Sequence, residues 1–440
     1  MFNIFERLKE LSQIDGIAIV EDEQQYSYND LWYSIQEHNE FFQEKSLVNK
    51  VVIFIGDFNY NSISALLSLL YLKNIVLLKT EIGSDIDYHQ KLINADYVYN
   101  SFDNDILEYS SPQKNDLINE LIANKQAGIV FLSSGTTGKP KAILHKAESL
   151  FQKYEFSKKA FTTLAFLLFD HIAGIDTLFY TLSAGGALVC LEDRSPETVV
   201  RSLQENQIEV FPTSPSYINM LLLNDDFYQE NLPNLKVITF GSERMSSYTL
   251  KNLQLKFHSV RILQKYGITE MGSPFVICKE SDPAWIKIDR RNTDYKIEDD
   301  TLFLKSNSSM MGYIYEDRCE SFDGWFNTQD KVEVDGEWIK ILGRVTDIIN
   351  VGGQKVYPAE VESVLLEIYN VKEVSVFSKE NPIMGKVVGA RFNLKKEESV
   401  TSLKKRVRQY CKDKLESFKI PVHIEITKEN QVSERFKKVR

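Results

Sequence analysis

Phe131-Leu132-Ser133-Ser134-Gly135-Thr136-Thr137-Gly138-Lys139-Pro140-Lys141 is the stretch that decides the fold of this 440-residue chain. It extends the apolar run that begins at Ile129, which is typical of a buried strand, and it precedes residues 142–144, which read as a second strand. Gly, Ser and Thr in succession give a loop whose backbone N–H groups can turn toward an anion, with hydroxyls and lysines close by. The GxxxxGK[ST] spacing of a Walker A loop is absent. We therefore expect a phosphate-binding loop between two strands, with a flexible Gly/Thr hairpin as the alternative.

The chain on both sides of this loop alternates helical and strand patterns. Helical periodicity over residues 30–42 and 62–70 alternates with apolar runs such as residues 51–55, and the rhythm continues from 128 to 265. This alternation is typical of layered α/β domains. From 285 to 343 the helical periodicity fades, and short β-type runs with turn residues predict a small β-rich subdomain.

A separate C-terminal region is predicted to begin at Arg344. Residues 371–377 and 387–394 read as strands and residues 402–415 as a helix. We therefore predict an α/β fold in two domains. The first, residues 1–343, is a large N-terminal domain of layered α/β subdomains plus the small β-rich subdomain. The second, residues 344–440, is a small mobile α+β domain.

The composition excludes several classes of protein. Hydrophobic residues make up 43% and charged residues 26% of the chain, as in ordinary globular proteins. The longest apolar runs, such as residues 164–169, are far too short to span a bilayer, and the N-terminus reads as an amphipathic helix rather than a signal peptide. The four cysteines contain no CxxC pair, and the histidines are scattered. We expect no disulfide framework, no metal cage and a cytoplasmic location.

The C-terminal region is basic, whereas the rest of the chain is acidic. Residues 344–440 contain 20 Lys and Arg against 13 Asp and Glu, while residues 1–343 contain 32 against 49, for a total net charge of −10. A basic C-terminal region could be a nucleic-acid tail or a lid that closes over an anionic ligand. The sequence of this region favours the lid, and we expect no nucleic-acid partner.

The loop at 131–141 closely resembles the [ST]SGTTGxPK signature of the adenylate-forming superfamily. This superfamily includes acyl- and aryl-CoA synthetases, non-ribosomal peptide adenylation domains and luciferases. Six further segments resemble its motifs in the same order: residues 169–174 (FDHIAG), 241–243 (GSE), 266–270 (YGITE), 324–330 (GWFNTQD), 343–362, which begins GRVTDII, and 431–440 (QVSERFKKVR). The resemblance extends from about residue 15 to the end of the chain. The motifs are most similar to those of the acyl- and aryl-CoA ligase branch.

The resemblance assigns most of these motif residues to ATP. Tyr266 would stack on adenine, Asp330 would accept hydrogen bonds from the ribose hydroxyls, and Arg344 would contact the ribose or phosphate. His171 and Gly267 would line the acid pocket. The full set assigned to ATP comprises Ser133, Ser134, Gly135, Thr136, Thr137, Gly138, Lys141, Gly241, Ser242, Glu243, Tyr266, Asp330 and Arg344.

Three residues are assigned to the reacting groups. Thr269 would bond the α-phosphate, and Glu270 would ligate Mg²⁺, which prefers hard oxygen ligands. Lys437 aligns with the lysine that bridges the substrate carboxylate and the α-phosphate, with Lys438 as its rival. The surrounding loop departs from the family pattern, since Gln431 replaces the usual proline and Phe436 the usual glycine.

The same resemblance implies a second conformation for transfer to a thiol. After adenylation the C-terminal domain would rotate about a hinge at Thr346, where an aspartate is common in the family. Gly352 and Gly353 would then line the tunnel for the phosphopantetheine arm. Gln329 also departs from the family pattern, because it stands where glycine is usual.

The sequence thus predicts an AMP-forming acid–thiol ligase. It would use ATP, Mg²⁺ and a small-molecule carboxylic acid, with CoA or the phosphopantetheine of an acyl carrier protein as the acceptor. A stand-alone amino-acid adenylating enzyme is an alternative, in which Asp170 would pair with an α-amino group. Two further alternatives are a nucleotide-binding protein of this fold that has lost catalysis and a monooxygenase of the luciferase type. The identity of the acid and the oligomeric state stay open.

Overall fold

The structure is a computed structural model of the chain. It describes residues 2–110, 113–133, 140–156, 159–224, 227, 232–382 and 385–429. Within these ranges no helix combines the length and the apolar character that crossing a membrane requires.

The strands of these ranges are numbered along the chain. They are β1 (Ile17–Glu21), β2 (Gln24–Ser27), β3 (Val51–Ile55), β4 (Ile75–Lys79), β5 (Tyr97–Asn100), β6 (Asp105–Glu108), β7 (Gly128–Ser133), β8 (Lys141–Lys146), β9 (Thr162–Leu164), β10 (Ala187–Val189), β11 (Val210–Thr213), β12 (Val237–Phe240), β13 (Arg261–Gln264), β14 (Val276–Lys279), β15 (Asp282–Ile288), β16 (Thr293–Glu298), β17 (Thr301–Ser306), β18 (Gly312–Ile314), β19 (Cys319–Ser321), β20 (Phe326–Asp335), β21 (Trp338–Arg344), β22 (Ile349–Val351), β23 (Gln354–Val356), β24 (Val371–Asn381), β25 (Gly385–Leu394) and β26 (His423–Ile426).

The helices are numbered in the same way. They are α1 (Ile4–Leu11), α2 (Tyr28–Glu44), α3 (Tyr60–Tyr71), α4 (Ile86–Ile93), α5 (Asp116–Ala123), α6 (Ala147–Phe151), α7 (Ile172–Ala184), α8 (Pro196–Glu205), α9 (Pro215–Leu221), α10 (Ser247–Lys256), α11 (Pro358–Leu365) and α12 (Val400–Cys411), with short 3₁₀ helices at Gln152–Phe156, Val345–Asp347 and Ser417–Lys419.

Two large sheets form the framework of residues 1–270. The first sheet has the strand order β13-β12-β11-β9-β10-β1-β2 and is parallel except for the β1–β2 pair. The second has the order β19-β18-β8-β7-β4-β3-β5-β6, with a parallel centre of β7, β4, β3 and β5. Apolar side chains on their helix-covered faces form the main cores, and the largest core joins α1, α2, α3 and α7 to both sheets. This is the layered α/β arrangement that the alternating pattern predicts.

Two further β regions follow. An antiparallel sheet with the order β14-β15-β21-β20-β17-β16 contains most of the predicted β-rich segment, although β18 and β19 join the second large sheet instead. After Arg344 come the β22–β23 hairpin and a sheet of β24, β25 and β26, which α11 and α12 help to cover. These C-terminal elements share a hydrophobic cluster of their own, to which Tyr248 of the N-terminal part adds its ring.

Most of the predicted elements are confirmed. The strand predicted at 51–55 matches β3, and the two strands that flank the signature loop are β7 and β8. The strands predicted after Arg344 correspond to β24 and β25, each somewhat longer than expected. The helix predicted over 402–415 begins two residues earlier and ends at Cys411.

Candidate active site

A cavity of about 1200 Å³ lies where the strands of the first sheet end and the second sheet approaches them. It gathers residues from both large sheets, from α7 and from the antiparallel sheet. Many of the predicted site residues line it, although they are far apart in sequence. These residues are Ser133, Lys141, His171, Gly241, Ser242, Tyr266, Gly267, Thr269, Glu270 and Arg344.

One end of the cavity holds the predicted metal ligand between a phenol and an ammonium group. Tyr313 Oη donates a hydrogen bond to Glu270 Oε1 at 2.9 Å, and Lys141 Nζ lies 3.9 Å from the same oxygen. Lys141 Nζ also stacks 3.5 Å from the centroid of the Tyr313 ring. Burial lowers the pKa of Lys141, and the negative charges of Glu270 and Glu320 offset part of this decrease. We call this group, Lys141, Glu270 and Tyr313, the phosphate end, because it adjoins the signature loop.

Thr269 is positioned through its backbone by a histidine from the second sheet. The imidazole Nε2 of His145 lies 2.7 Å from the Thr269 carbonyl oxygen, across 124 residues of sequence. The His145 side chain is fully buried, and this burial lowers its pKa to about 4. The neutral ring therefore carries its proton on Nε2, and the segment before Glu270 is held against β8.

Asp330 lies beside the cavity and contacts two of its lining residues. Tyr266 Oη donates a hydrogen bond to Asp330 Oδ2 at 2.7 Å, and Arg344 Nε lies 3.8 Å from Oδ1. Burial raises the pKa of Asp330, and the Tyr266 hydrogen bond and Arg344 offset only part of this increase. Gln329 precedes it with a φ of +60°, a left-handed conformation that glycine adopts without strain. This backbone conformation explains why glycine is usual there in the superfamily.

The other end of the cavity is a slot between α7 and one face of the first sheet, which we call the α7 slot. Alternate residues of the strands face opposite sides, so the slot receives Thr163, Val237, Thr239 and Arg261, while their neighbours enter a hydrophobic core on the other side. The full lining of the slot comprises Thr163, Val210, Pro212, Thr213, Val237, Thr239, Arg261, Leu263 and Lys265 from the sheet side and Asp176, Thr177, Tyr180 and Thr181 from α7.

The carboxylate of Asp176 in this slot is already paired with a cation and a hydrogen-bond donor. It forms an ion pair with the buried Lys153, and Tyr154 Oη donates a hydrogen bond to its Oδ1 at 3.0 Å. Lys153 also donates to the Ser273 carbonyl oxygen at 2.9 Å. Burial lowers the pKa of Lys153, and its ion pair with Asp176 offsets part of this decrease.

Several predicted residues lie away from the cavity lining. Glu243 accepts a hydrogen bond from Ser216 Oγ at 2.5 Å. Gly352 and Gly353 form the turn of the β22–β23 hairpin with φ of +55° and +89°, and Thr346 is exposed in a 3₁₀ helix. Asp170, the candidate partner of an α-amino group, is not among the lining residues either. The predicted residues Ser134, Gly135, Thr136, Thr137, Gly138 and Lys437, and its rival Lys438, lie outside the described residues.

Sequence reasoning missed four residues of this site: His145, Tyr313, Arg261 and Lys265. The contacts of His145 and Tyr313 join segments more than 40 residues apart, so no local motif indicates them. For Arg261 and Lys265 the sequence does contain a pattern that could have indicated them. They alternate with Ile262 and Gln264 just before the 266–270 motif, and charges on one face of a strand indicate that this face lies outside the core.

Comparison with known proteins identifies the family to which this chain belongs. The family model of the AMP-binding enzyme matches residues 80–315, more than half of the chain, and that of the AMP-binding enzyme C-terminal domain matches residues 360–437. A 2-succinylbenzoate–CoA ligase of Listeria monocytogenes serotype 4b is 30% identical over 319 residues, covering 68% of this chain and 66% of that enzyme. A 4-hydroxybutyrate–CoA ligase of Metallosphaera sedula is 28% identical over 344 residues, covering 67% of this chain and 60% of that enzyme. The matches thus span somewhat less than two thirds of the length of these relatives.

Solved structures show the same fold. The anthranilate CoA ligase AuaEII in complex with anthranoyl-AMP gives a TM-score of 0.84 at 18% identity, over 100% of this chain and 96% of that chain. The o-succinylbenzoate CoA synthetase of Bacillus subtilis, in complex with its acyl-adenylate intermediate, gives 0.78 at 20% identity, over 99% of this chain and 96% of that chain. The resemblance of its motifs to the adenylate-forming superfamily is therefore confirmed, and the chain belongs to the AMP-binding enzyme family.

Proposed function

We propose that this chain is an acid–thiol ligase that joins a carboxylic acid to AMP and then transfers the acyl group to a thiol. The observation that carries this proposal is the continuity of one cavity from Glu270 and Lys141 at the phosphate end into the α7 slot. ATP and an organic acid can lie end to end in such a space. The two relatives quoted above are named as CoA ligases, which supports the same reaction class.

The chemistry requires positive charge rather than a nucleophilic side chain. The acid carboxylate must attack the α-phosphate, and the repulsion between two anions is the main obstacle. Lys141, the signature loop, Thr269 and Lys437 are the groups that we propose to offset this repulsion, by donating hydrogen bonds and charge toward the phosphate and the carboxylate. Binding both reactants in one cavity makes the attack effectively unimolecular.

Mg²⁺ fits the phosphate end through Glu270. The described residues contain no cluster of three or more metal-ligating side chains, so a site that holds an ion by protein ligands alone is not supported there. A single carboxylate that shares the ion with phosphates and water is the usual arrangement for Mg²⁺, and Glu270 is a carboxylate that lines this end. The ion would neutralise phosphate charge when bound, and Tyr313 would orient the carboxylate that holds it.

The second half-reaction is proposed to use residues 344–440 as a mobile domain. Its excess of basic residues favours closure over anionic ligands. Rotation about Thr346 would remove Lys437 from the reaction centre and bring Gly352 and Gly353 to the acyl-adenylate. CoA or the phosphopantetheine of an acyl carrier protein would supply the thiol. Because the reaction consumes ATP, we propose a cytoplasmic location.

The experiment that tests this function is acid-dependent ATP–pyrophosphate exchange. The panel contains fatty, aryl, hydroxy and amino acids together with 2-succinylbenzoate and 4-hydroxybutyrate, the acids named for the relatives. Exchange with any acid, followed by thioester formation on addition of CoA or a carrier protein, is the expected result. Exchange with an amino acid alone would favour the amino-acid adenylating enzyme. Tight binding of Mg-ATP without exchange for any acid would favour a nucleotide-binding protein that has lost catalysis.

A further inference from the structure

We propose that the acid accepted in the α7 slot carries a second anionic group, a carboxylate in the simplest case, remote from the carboxyl that is activated. This inference rests on the proposed function and specifies its substrate class. It would make Arg261 and Lys265 an anion subsite of the slot. The observations that carry it are the polarity of one sheet face, two cations without carboxylate partners, and an aspartate that is already paired.

The sheet face in the slot carries polar side chains among apolar ones, whereas the opposite face is apolar. Along β13, Ile262 enters the hydrophobic core behind the sheet, whereas Arg261 lines the slot. The same alternation places Ile238 behind the sheet and Thr239 in the slot. A slot for an alkyl chain would extend the apolar lining. The slot instead mixes threonines and cations with the apolar residues Val210, Pro212, Val237 and Leu263, which suits an acid that has an apolar body and a polar group remote from the activated carboxyl.

Arg261, the first residue of β13, and Lys265, which follows the strand, have no carboxylate partner among the residues that the structure describes. Both side chains are exposed, and neither has a carboxylate oxygen within 4 Å there, whereas other exposed basic residues such as Arg291 and Lys414 have one. Both residues line the cavity. Lys265 Nζ reaches across the slot to within 5.7 Å of the Tyr180 ring centroid. Positive charge therefore remains available in the slot, and an anionic group would complement it.

Among the described residues that line the slot, a cationic substituent would find no unpaired carboxylate. Asp176 is the acidic residue of the slot lining, and it is engaged by Lys153 and by the Tyr154 hydroxyl. An ammonium group would therefore have to displace a buried lysine while it faced two further cations. This arrangement disfavours the amino-acid alternative and favours an anion.

Two hydroxyls add hydrogen-bonding capacity. Thr181 and Thr213 both line the cavity with 3% and 2% of their surface exposed, and their Oγ1 atoms have no partner among the described residues. Buried hydroxyls without a partner are costly, so such groups are normally satisfied by a ligand or by water. They can donate to an oxygen-rich acid.

The geometry also limits the length of the acid. Arg261 begins β13, and the 266–270 segment that leads to the phosphate end follows the end of that strand. The four residues of this strand span about 10 Å. The second anion should therefore lie several bonds from the activated carboxyl, as in an aryl dicarboxylate or a diacid of medium length.

The experiment is ATP–pyrophosphate exchange with matched pairs of acids. Symmetric diacids (glutarate, adipate and isophthalate) are each compared with their monomethyl esters, so that either carboxyl of the diacid can be the activated one. 2-Succinylbenzoate is compared with both of its monomethyl esters. The readout is the ratio of kcat/KM for the diacid to that for its ester, in the wild type, in Arg261→Met and in Lys265→Met. Arg290→Met is the control, because Arg290 is exposed and does not line the cavity.

The expected result is a wild-type ratio well above one for at least one pair. Arg261→Met should lower that ratio by about 10- to 100-fold, as loss of a charged hydrogen-bond partner does. Lys265→Met should act in the same direction, and Arg290→Met should leave the ratio at the wild-type value. Equal use of diacid and ester by the wild type, or an unchanged ratio in both slot variants, would overturn the inference while the proposed function stands. Absence of exchange with every acid would contradict the proposed function and this inference with it.

Discussion

Asp330 illustrates how the fold positions a residue for which the sequence predicts a role in binding the ribose. Its carboxylate is 6% exposed, accepts the Tyr266 hydroxyl and faces Arg344, so its two oxygens already have a donor and a cation. The sequence indicates the residue through the GWFNTQD motif. It does not indicate Tyr266 as its partner, because the two lie 64 residues apart and meet only through the packing of the antiparallel sheet beside the cavity.

Asp330→Asn should weaken ATP binding through the loss of a charged acceptor for the ribose hydroxyls. We expect KM for ATP to rise by about 10- to 100-fold, because hydrogen bonds to charged groups contribute about 1.5–3 kcal/mol. The preference for ATP over 2′-deoxy-ATP should shrink in the same variant. Exchange kinetics with both nucleotides check this. Asp335→Asn is the matched control, since Asp335 lies on the same strand, is exposed and pairs with Lys279. An unchanged preference in Asp330→Asn would remove this residue from the ribose site.

His145 predicts a pH dependence of stability. Burial lowers its pKa from 6.5 to about 4, so the unfolded chain takes up a proton at this side chain at a higher pH than the folded chain does. Protonation then favours unfolding. The free energy of unfolding should fall between pH 6.5 and about pH 4, by about 1.4 kcal/mol per pH unit from this group.

Urea unfolding at pH 7, 6 and 5 measures this slope in the wild type and in two variants. His145→Phe should be less stable at pH 7, because it loses the bond to Thr269, and its stability should depend less steeply on pH. His258→Phe, at an exposed position, should keep the wild-type slope. The same slope in all three proteins would show that His145 does not contribute to acid sensitivity.

At the scale of an element, α7 shows why one motif glycine is required. Gly174 is buried, and a Cβ atom added there would lie 2.0 Å from the Leu168 carbonyl oxygen. The helix therefore packs directly on the backbone of the segment that leads into it. Because α7 forms one wall of the slot, this close approach also sets the width of the slot in which we propose that the acid binds.

Gly174→Ala should displace α7 from that backbone. We expect a loss of stability of about 1–3 kcal/mol, which is typical of overpacking in a core. KM for the acid should rise more than KM for ATP, because the slot wall moves while the phosphate end does not. Calorimetry and exchange kinetics measure both effects. Gly16→Ala serves as the control, since its added Cβ would meet only Tyr28 Cδ2 at 3.7 Å. Similar behaviour of the two variants would mean that the contact with Leu168 relaxes at little cost.

The elements themselves could largely be predicted from the sequence, whereas the slot could not. β3, β7 and β8 are strongly apolar, and their patterns alone identify them as buried strands. The slot depends on which face of β13 meets α7. That face is fixed by the pairing of Val237 with Arg261 in the parallel sheet and by the packing of the helix, and a single sequence contains neither. Local patterns thus predict elements, and long-range register determines the chemistry between them.

At the scale of the whole molecule, the contacts between the C-terminal elements and the N-terminal part that the described residues show include two hydrogen bonds and one aromatic ring. Ser247 N donates to Ser363 Oγ at 3.1 Å, Asn219 Nδ2 donates to the Lys372 carbonyl oxygen at 3.4 Å, and Tyr248 packs against the C-terminal cluster. Contacts of this kind are typical of interfaces that can separate. They are consistent with our proposal that residues 344–440 act as a mobile domain.

A reversible link between the two parts would test this proposal directly. The double variant Ser247→Cys with Ser363→Cys places thiols where α10 and α11 meet, and oxidation should join them. If the C-terminal domain must adopt two arrangements, the oxidised protein is held in one of them. It should retain at most one half-reaction, while thioester formation from free acid falls by about tenfold or more, because the required domain rotation is blocked. Dithiothreitol should restore the activity.

Each single cysteine variant, treated in the same way, controls for oxidation of the four native cysteines. Pyrophosphate exchange and transfer from a chemically prepared acyl-adenylate show which half-reaction persists in the linked protein. Retention of exchange with loss of transfer would mean that the arrangement described here is the adenylating one, and the reverse result would identify it as the thiol-transfer arrangement. Full thioester formation by the oxidised protein, with the link verified by mass spectrometry, would contradict the proposal, because both half-reactions would then proceed without separation of these two surfaces.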